Sequence, residues 1–399
     1  MAGPLDGVRI VDLTTVVMGP YATRILGDHG AEVIKIEPAK GDNTRRLGAQ
    51  RHAGMGSYFL NLNRNKKSVV LDLKHPEGLA AVKKLIASAD VLVSNVRPRA
   101  LRRLGLGYED LAPAHPRLIH VSLVGYGQDG PYGPRPAYDD LMQGAIGIPA
   151  LFAHAGGGLR FVPFNVADRA VGLAAVNAVT TALYAREKTG RGQAIEVPMF
   201  ETMTDFILVE HLGGLTFEPQ EGPIGYSRTL EKQRRPYQPV DGYIAVQVYN
   251  DQHWKDFFEI AGETEKYAGD PRFADLGTRT AATAEINEIL AGIFVRKTTA
   301  EWLRLLNGAD IPATPIHTVE SLVADERHVA TGFFAEVEHP TEGRMRSMRV
   351  PARWSDTAPD RRDPAPRFGE HTAAVLRGLG YDEAQIAARP ASWARQAPR

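Results

Sequence analysis

The sequence predicts an α/β fold in which a large, doubly wound, Rossmann-like domain is joined to a smaller α+β domain. Three observations support this prediction. Segments of strand composition alternate with amphipathic helical segments through the first half of the chain, and such alternation is typical of parallel sheets with right-handed crossovers. The length of 399 residues exceeds what one hydrophobic core usually organises. A segment rich in proline and glycine at Glu218–Gly225 indicates a domain boundary.

Strands and helices are predicted to alternate in the large domain. The strands are expected at Val8–Leu13, Val33–Ile36, Val69–Leu73, Val91–Val93, Leu118–Leu123 and Ala194–Val197, and helices at Pro20–Gly30, Leu79–Ile86 and Leu141–Ile148. The turn after the first strand, Val16–Pro20, lacks the GxGxxG spacing that a dinucleotide pyrophosphate requires. We therefore expect a doubly wound sheet that does not bind NAD.

A long helix is predicted to begin at Asp168. Its apolar stripe repeats at i, i+3, i+4 and i+7 and consists of Val171, Ala174, Ala175, Ala178, Val179, Ala182 and Leu183. The segment Lys188–Gly192 ends the helix, with cations in the last turn and glycines beyond it. Because the stripe is mostly alanine, we expect a neighbouring element to pack closely against this buried helix.

Two roles are open to Asp168. An Asp before a helix usually caps it by accepting hydrogen bonds from the free backbone N–H groups of the first turn. A carboxylate at the positive end of a helix dipole is also favoured in its ionised form, and an ionised carboxylate is available as a nucleophile at neutral pH. The neighbouring residues must decide between these roles.

Composition excludes several classes of function. Lys and Arg together number 47 and so do Asp and Glu, so neither nucleic acid nor a membrane is expected as a partner. The lack of cysteine excludes disulfides, thiolate metal sites and a Cys nucleophile, and the histidines lack metal spacing, so we expect no metal. Neither a signal-peptide pattern nor about 18 consecutive apolar residues is present, and we expect a cytoplasmic protein.

The second half of the chain is predicted to leave the large domain and return to it. We expect the first part of the large domain at residues 1–217, a small domain at 226–318, and the rest of the large domain with a C-terminal arm at 330–399. The predicted elements are a hairpin at Pro239–Val248 with Asp241–Gly242 as its turn, helices at His253–Ala261, Ala284–Phe294, Thr299–Asn307 and His371–Leu379, strands at Phe333–Val337 and Met345–Val350, and an exposed connector at Pro359–Arg367.

Two segments that follow predicted strands are candidate ligand sites, because parallel sheets bind ligands at the carboxyl ends of their strands. One segment contains Arg97, Arg99, Arg102 and Arg103, whose donor forks suit phosphate; a solvated basic helix face is the alternative, and both interpretations stay open. The other is the loop Gly125–Pro131, whose glycines allow a ligand to approach the backbone closely.

An ordered set of motifs resembles the class III coenzyme A transferases, the CaiB/BaiF family that includes formyl-CoA:oxalate and carnitine CoA-transferases. The motifs are LDGVRIVDL (5–13), Gly19–Pro20, GDHGAEVIKIEP (27–38), GDNTR (41–45), LDLKHPEG (71–78), ADVLVSNVRP (89–98), GLGYEDL (105–111), GYGQDGP (125–131), TGRGQ (189–193) and PVDG (239–242). Each motif is weak alone, but the ordered set covers nearly the whole chain and is specific.

The resemblance implies roles for particular residues. Asp168 matches the nucleophile of the family, which forms an acyl anhydride and then an aspartyl-CoA thioester while CoA moves from an acyl-CoA to a carboxylic acid. CoA is expected along the loops after the third and fourth strands, at Leu71, Leu73, Lys74, Asn95, Val96, Arg97 and Arg103, and the reacting end of the pocket at Val17, Met18, Tyr138 and Asp139. The resemblance also implies an interlocked homodimer.

This chain departs from the family's pattern at three places. Val17 stands where some relatives have Gln, and Pro38 stands where some have Arg, so thioester polarisation and one phosphate contact are expected to differ. A glycine-rich loop that covers the intermediates is not evident, and Gly222–Gly225 is the nearest candidate.

Two other functions stay open. The α-methylacyl-CoA racemases resemble this family in fold, but they carry a His after a glycine where this chain has Ala137–Tyr138, and a glycine run where it has Arg169–Val171; both features favour transfer. A CoA-binding protein without catalysis is the second alternative, and the retained Asp168 argues against it.

Three arginines of the predicted small domain are candidates for binding the substrate. Arg228, Arg234 and Arg235 of the small domain are candidates to hold a free carboxylate, which would suit a dicarboxylate such as succinate as donor or acceptor.

Overall fold

The computed structural model describes residues 3–359 and 363–388. The strands are β1 (Arg9–Leu13), β2 (Glu32–Glu37), β3 (Lys66–Val70), β4 (Val91–Ser94), β5 (Ile119–Val124), β6 (Ala194–Pro198), β7 (Ile244–Val246), β8 (Ala313–Pro315), β9 (Phe334–His339) and β10 (Gly343–Met348). The helices are α1 (Met18–Asp28), α2 (Ser57–Leu62), α3 (Pro76–Ala87), α4 (Pro98–Arg103), α5 (Tyr108–Leu111), α6 (Asp139–Ala145), α7 (Ile148–His154), α8 (Val166–Thr189), α9 (Met199–His211), α10 (Asp251–Ala261), α11 (Thr264–Gly269), α12 (Leu276–Ala281), α13 (Thr283–Phe294), α14 (Thr299–Gly308), α15 (Val319–Val323), α16 (Glu326–Thr331), α17 (Thr372–Gly378) and α18 (Glu383–Ala387). Short 3₁₀ helices occupy Asn43–Arg46, Gly213–Thr216 and Pro271–Phe273.

The first six strands form one parallel sheet in the order β3-β2-β1-β4-β5-β6. In the centre of the sheet, Ile10 of β1 lies opposite Val33 of β2 on one side and Val91 of β4 on the other. The order reverses between β1 and β4, and in doubly wound sheets this reversal creates the crevice in which ligands bind. The predicted doubly wound fold is confirmed.

Both faces of this sheet are covered by helices. Because side chains alternate along a strand, Ile10 packs against α1 and α8, whereas Val11 packs against α3 and α17 on the opposite face. The two hydrophobic cores are therefore separate layers on either side of one sheet, as doubly wound folds require.

Helix α8 is the long helix that the alanine stripe predicts. At Gly172 the helix approaches α1 so closely that a Cβ atom would lie 2.9 Å from the carbonyl oxygen of Met18. The helix ends at Gly190, whose φ of +71° is the left-handed conformation that favours glycine. Within the described residues, α8 is also the one helix long and apolar enough to cross a membrane, a test that core helices of soluble proteins pass as well. Its alanine stripe packs into the core with α1 and the sheet.

The chain divides into two compact units. The first unit contains the sheet, and it is formed by the described residues of Met1–Ile146 and Val162–Phe206 together with those from Gly332 onward. The antiparallel pair β9 and β10, which belongs to this unit, has the two strands that the sequence predicts near residues 333 and 345.

The second unit comprises Gly147–Phe161 and Ile207–Thr331. It has its own core, built largely from aromatic side chains; these are Trp254, Phe257, Phe258, Phe273, Phe294 and Trp302. Helices α10, α13 and α14 lie close to the predicted bounds, and Thr298 caps α14 by accepting a hydrogen bond from the Glu301 N–H.

The predicted hairpin at Pro239–Val248 is wrong. Strand β7 pairs with the distant β8, and the isolated bridge of Ile244 is with Tyr237, which precedes the predicted hairpin. The Asp241 side chain accepts a hydrogen bond of 2.7 Å from the Thr299 N–H. Asp241 therefore binds the start of α14, a role that its Asp-Gly sequence does not reveal.

The third strand begins earlier than predicted, at Lys66 instead of Val69. Two consecutive lysines concealed its start, but the side chain of Lys66 is fully buried, with its Nζ 3.2 Å from Oδ2 of Asp12. A buried charge pair thus extends the strand into a polar sequence.

The connector at Pro359–Arg367 is not the exposed arm that its composition predicts. Residues 360–362 lie outside the described residues. Beyond them, Asp363 donates its N–H to Asn65, Ala365 is buried, and the carbonyl oxygen of Pro366 accepts hydrogen bonds from Arg45. The described part of the connector therefore packs against the first unit of its own chain.

Four buried charges fix the loop between β1 and α1. The side chains of Asp12, Lys35, Asp42 and Lys66 are fully buried, and they form the pairs Lys66–Asp12 at 3.2 Å and Lys35–Asp42 at 2.9 Å. Lys35 also donates to the carbonyl oxygen of Thr14 at 2.8 Å. Burial lowers the pKa of Lys66 to about 8, although Asp12 opposes this change. The loop is thus held by charges that water cannot screen.

Removing one partner of this network should destabilise the first unit. We expect Asp12→Asn to lower the free energy of unfolding by about 3–5 kcal/mol, because Lys66 then loses its anionic partner in the protein interior. Urea denaturation at pH 7 measures this change. Asp6→Asn, which neutralises an exposed carboxylate nearby in the sequence, is the matched control and should change stability by less than about 0.5 kcal/mol. Equal stability of the two variants would contradict the importance of the network.

Candidate active site

Asp168 lies in the first turn of α8, but it does not cap the helix. Its backbone N–H donates a hydrogen bond of 2.9 Å to Oδ2 of Asp139, so Asp139 supplies the acceptor that the helix terminus needs. Among the described residues, none donates a hydrogen bond to the side-chain carboxylate of Asp168. Capping, the more common of the two roles open to Asp168, is therefore carried out by Asp139. The carboxylate of Asp168 has no hydrogen-bond donor among the described residues.

Asp139 is held in place by a chain of hydrogen bonds. It begins α6, and its Oδ1 accepts a bond of 2.6 Å from the side-chain amide of Gln143, one turn later on the same helix. The oxygen of that amide accepts the Val162 N–H at 2.8 Å. Asp139 is 5% exposed and Gln143 is fully buried. The segment that leads into α8 is thus fixed to the carboxylate that caps it.

Asp168 holds its proton more tightly than an ordinary Asp. Burial, and after it the negative charge of Asp139, raise the pKa of Asp168 from 3.8 to about 7, while Arg169 offsets part of this rise. The sequence predicts that the helix terminus favours the ionised form of Asp168. That expectation is wrong, because the terminus is occupied by a second carboxylate and the site is largely shielded from water.

Tyr58 and Asn165 belong to the same site, and the sequence did not identify them. The Tyr58 hydroxyl, on α2, donates a hydrogen bond to the side chain of Asn165, the residue just before α8. Burial raises the pKa of Tyr58; Arg169 opposes this rise and Asp168 adds to it. These charge effects place Tyr58 near the candidate nucleophile. No local sequence pattern connects residue 58 with residue 165.

The turn that precedes α1 has a strained backbone. Val16 is β-branched and yet has a φ of +70°, a conformation that costs such a residue free energy. Asn95, at the end of β4, binds both backbone groups of Thr15, accepting its N–H at 3.0 Å and donating to its carbonyl oxygen at 2.9 Å. Asn95, which is predicted to contact CoA, therefore holds the backbone of this turn in place.

The residues predicted at the reacting end have different exposures. Val17 and Met18 are buried, Asp139 is buried under α8, and Tyr138 is 68% exposed. The first turn of α1 has no side-chain cap, so the N–H groups that follow Val17 lack side-chain acceptors. The close approach of Gly172 to Met18 brings this helix start against the first turns of α8.

The predicted CoA contacts follow β3 and β4, whose carboxyl ends lie at one edge of the sheet. The apolar members, Leu71, Leu73 and Val96, all pack in the same hydrophobic core. The basic members are exposed; these are Lys74, Arg97 and Arg103. Their cationic side-chain groups form no hydrogen bond or ion pair within residues 3–359 and 363–388. This edge of the sheet therefore combines packed apolar side chains with exposed cationic side chains.

The segment Gly222–Gly225 is bound by backbone hydrogen bonds within the second unit. Gly225 donates to the carbonyl oxygen of His211, and Gly214 donates to that of Pro223. A Cβ atom on Gly214 would lie 2.3 Å from the carbonyl oxygen of Gly222, so the close packing of this loop requires glycine. Its predicted role as a cover for intermediates stays a prediction.

The sheet and the site together define an α/β enzyme with an uncommitted carboxylate at the start of its central helix. Residues 5–372 match the family model described as CoA-transferase family III. The chain is 33% identical to the succinyl-CoA:glutarate CoA-transferase of Mus musculus over 96% of this chain and 88% of that protein. It is also 33% identical to the formyl-CoA:oxalate CoA-transferase of Rhodopseudomonas palustris over 100% of this chain and 99% of that protein.

A solved structure gives the same result. The crystal structure of a CaiB/BaiF family protein from Brucella suis matches with a TM-score of 0.80 and 31% identity over 95% of this chain and 100% of that one. The chain belongs to CoA-transferase family III. It is a CoA-transferase, and enzymes of this class use CoA thioesters as substrates.

The raised pKa of Asp168 predicts an unusual dependence of stability on pH. The folded protein keeps this proton up to about pH 7, whereas the unfolded chain loses it near pH 3.8, so this group makes stability fall as pH rises between these values. Asp168→Asn should therefore match the native enzyme in stability near pH 4 and be more stable at pH 8, by on the order of 1–3 kcal/mol after allowance for partial exposure. Urea denaturation at both pH values measures the difference.

Asp139 provides the control for this measurement. Asp139→Asn keeps an oxygen for the Asp168 N–H but removes the neighbouring charge, so the gain from Asp168→Asn at pH 8 should be smaller in that background. The exposed Asp140→Asn should leave the gain unchanged. A loss of stability at pH 8 on replacing Asp168 would show that its pKa is not raised.

Proposed function

We propose that Asp168 is the nucleophile that carries CoA from an acyl-CoA donor to a carboxylic acid acceptor. The observation on which this proposal depends is that Asp139 caps α8, which leaves the partly buried carboxylate of Asp168 without a hydrogen bond from any described residue. A carboxylate that is desolvated and unpaired is a stronger nucleophile than one surrounded by donors.

The reaction proceeds through four substitutions at acyl carbons. The Asp168 carboxylate attacks the thioester carbonyl of the donor, which forms a mixed anhydride and releases CoA thiolate. The thiolate attacks the Asp168 carbonyl of the anhydride, which forms an aspartyl-CoA thioester and releases the donor acid. The acceptor carboxylate then displaces the thiolate to form a second anhydride. Attack of the thiolate on the acceptor's carbonyl gives the new acyl-CoA and restores the Asp168 carboxylate.

This sequence of steps requires no net proton transfer, because each nucleophile and each leaving group is an anion. Asp168 must, however, be ionised to begin it. With a pKa of about 7, about half of the enzyme is ready at neutral pH, and the carboxylate that forms is more basic than an ordinary Asp. The uncapped first turn of α1, which lies against α8, offers backbone N–H groups to the oxygen that becomes negative during each attack.

The edge formed by the loops after β3 and β4 is the proposed position of CoA. Lys74, Arg97 and Arg103 would meet its phosphates, and Val96 would lie against its adenine ring. We infer that the donor is succinyl-CoA; this inference is supported by the relative from Mus musculus, which is named for succinyl-CoA and glutarate. A cytoplasmic location stays part of the proposal.

The same proposal includes an interlocked homodimer. Helix α8 exposes Leu173 and Tyr184, and α9 exposes Phe206 and Val209, the last of these at 85%. Large apolar side chains exposed on two long helices are typical of surfaces that a partner covers.

We expect light scattering to give twice the mass of one chain, and Leu173→Glu to shift the protein toward monomer. A native protein that stays monomeric at micromolar concentration would contradict this part of the proposal.

The covalent intermediate gives the most direct test of the mechanism. Incubation with succinyl-CoA in heavy water, followed by a hydroxylamine quench, should convert Asp168 to a hydroxamate that mass spectrometry detects in its peptide. The recovered succinyl-CoA should contain no deuterium at the α-carbon, because the proposed reaction breaks no C–H bond.

Two variants and one alternative outcome complete this test. Asp168→Asn should give no adduct, whereas Asp140→Asn, which alters an exposed carboxylate beside Asp139, should give the native yield. Deuterium at the α-carbon without an adduct, with succinyl-CoA or a branched acyl-CoA, would mean that the enzyme is a racemase and that Asp168 acts as a base.

A further inference from the structure

The second unit contains a cavity of about 900 Å³ that the proposed mechanism does not use. Its wall combines arginines, other polar side chains and apolar side chains. The lining includes the polar residues Arg228, Arg234, Arg235 and Gln247 and the apolar residues Ile286 and Leu290. Cavities of this size and composition are typical of small-molecule sites.

Three arginines of this wall have no acidic partner. Within the described residues, no carboxylate lies within ion-pair distance of Arg228, Arg234 or Arg235. Other arginines of the same unit are paired, such as Arg272 with Asp270 and Arg296 with Glu263. The cavity therefore concentrates guanidinium groups whose charge is not neutralised.

Arg228 is the least exposed of the three, and its side chain is held by a hydrogen bond. It is half-buried, and one of its terminal nitrogens donates a hydrogen bond of 2.9 Å to the side-chain oxygen of Gln247, which also lines the cavity. This bond uses one of the five N–H groups of the guanidinium, so a two-donor fork stays available for a carboxylate. Gln247 directly follows β7, which pairs with β8, and its backbone N–H donates to the carbonyl oxygen of Pro312.

The charge of the cavity favours an anion. Asp310 is the one carboxylate among the described residues that line it, against four arginines. Of these four, Arg279 forms an ion pair with Asp251, whereas the half-buried Arg228 and the exposed Arg234 and Arg235 have no carboxylate partner among the described residues. The apolar side chains, Ile286 and Leu290 among them, add a surface on which methylene groups would be shielded from water.

We propose that this cavity binds an aliphatic dicarboxylate, with a carboxylate on the guanidinium of Arg228, the second anionic charge stabilised by Arg234 and Arg235, and the methylene chain against the apolar wall. The choice of a carboxylic acid over other anions rests on the proposed function, in which a free acid must bind the enzyme. Arg234 and Arg235 favour a dianion over a fatty acid, because a monoanion bound at Arg228 would leave their charges without a counterion.

Calorimetric titration of free glutarate into the full-length enzyme tests this inference. The protein carries Asp168→Asn and no CoA is added, so no chemistry is needed for a signal. Glutarate should bind, and pentanoate, which has the same chain length and one carboxylate, should bind about tenfold more weakly or worse. Arg228→Gln and the double variant Arg234→Gln/Arg235→Gln should each weaken glutarate binding by about tenfold or more. Arg304→Gln, an exposed arginine of α14 that does not line the cavity, should not change it.

Three results would overturn the inference. These are the absence of glutarate binding, glutarate binding that both arginine variants leave unchanged while they keep the native melting temperature, and binding of inorganic phosphate as tightly as glutarate. The test is independent of the mechanism. Arginine-dependent glutarate binding without an adduct on Asp168 would contradict only the proposed function, and an adduct with arginine-independent binding would contradict only this site.

Discussion

The hydrogen bond from the Asp168 N–H to Asp139 is the interaction on which the candidate site depends. A helix terminus has free N–H groups that require acceptors, and an Asp in the first turn is well placed to supply them with its own side chain. Because Asp139 supplies the acceptor, the carboxylate of Asp168 keeps both oxygens free. The consequence is that two carboxylates lie close together in a largely buried site, and this closeness is part of what raises the pKa of Asp168.

This arrangement balances two chemical requirements. A nucleophilic carboxylate must be ionised, but it becomes more reactive when it is less well solvated and more basic. A pKa of about 7 meets both requirements at neutral pH. The buried Gln143 keeps Asp139 in position, and Tyr58 binds the residue before α8, so the first turn of α8 is held by groups that do not themselves bind the carboxylate oxygens of Asp168.

The turn before α1 is held by buried charge pairs. Lys35 and Lys66 pair with Asp42 and Asp12, and Lys35 and Asn95 bind the backbone of the turn before α1. Such pairs contribute little net stability compared with apolar packing, but each charge requires its partner in one position. That requirement explains how a β-branched residue, Val16, is kept at a φ of +70°. The strained turn places an uncapped helix start beside α8, where a developing negative charge would need donors.

The sequence by itself determined the layered α/β fold and the alanine-rich central helix, and it identified Asp168 as the candidate nucleophile, because periodicity and ordered motifs are local properties of a chain. Only the tertiary structure decided which carboxylate caps α8, since Asp139 and Asp168 are separated by 29 residues. The same limit explains two wrong predictions. At the predicted hairpin, Asp241 binds the distant Thr299. At the start of β3, which was predicted too late, Lys66 is buried and forms an ion pair with Asp12. A charge in a sequence reads as solvent-exposed, and whether it is instead paired, buried or left free depends on neighbours that only the folded chain brings together.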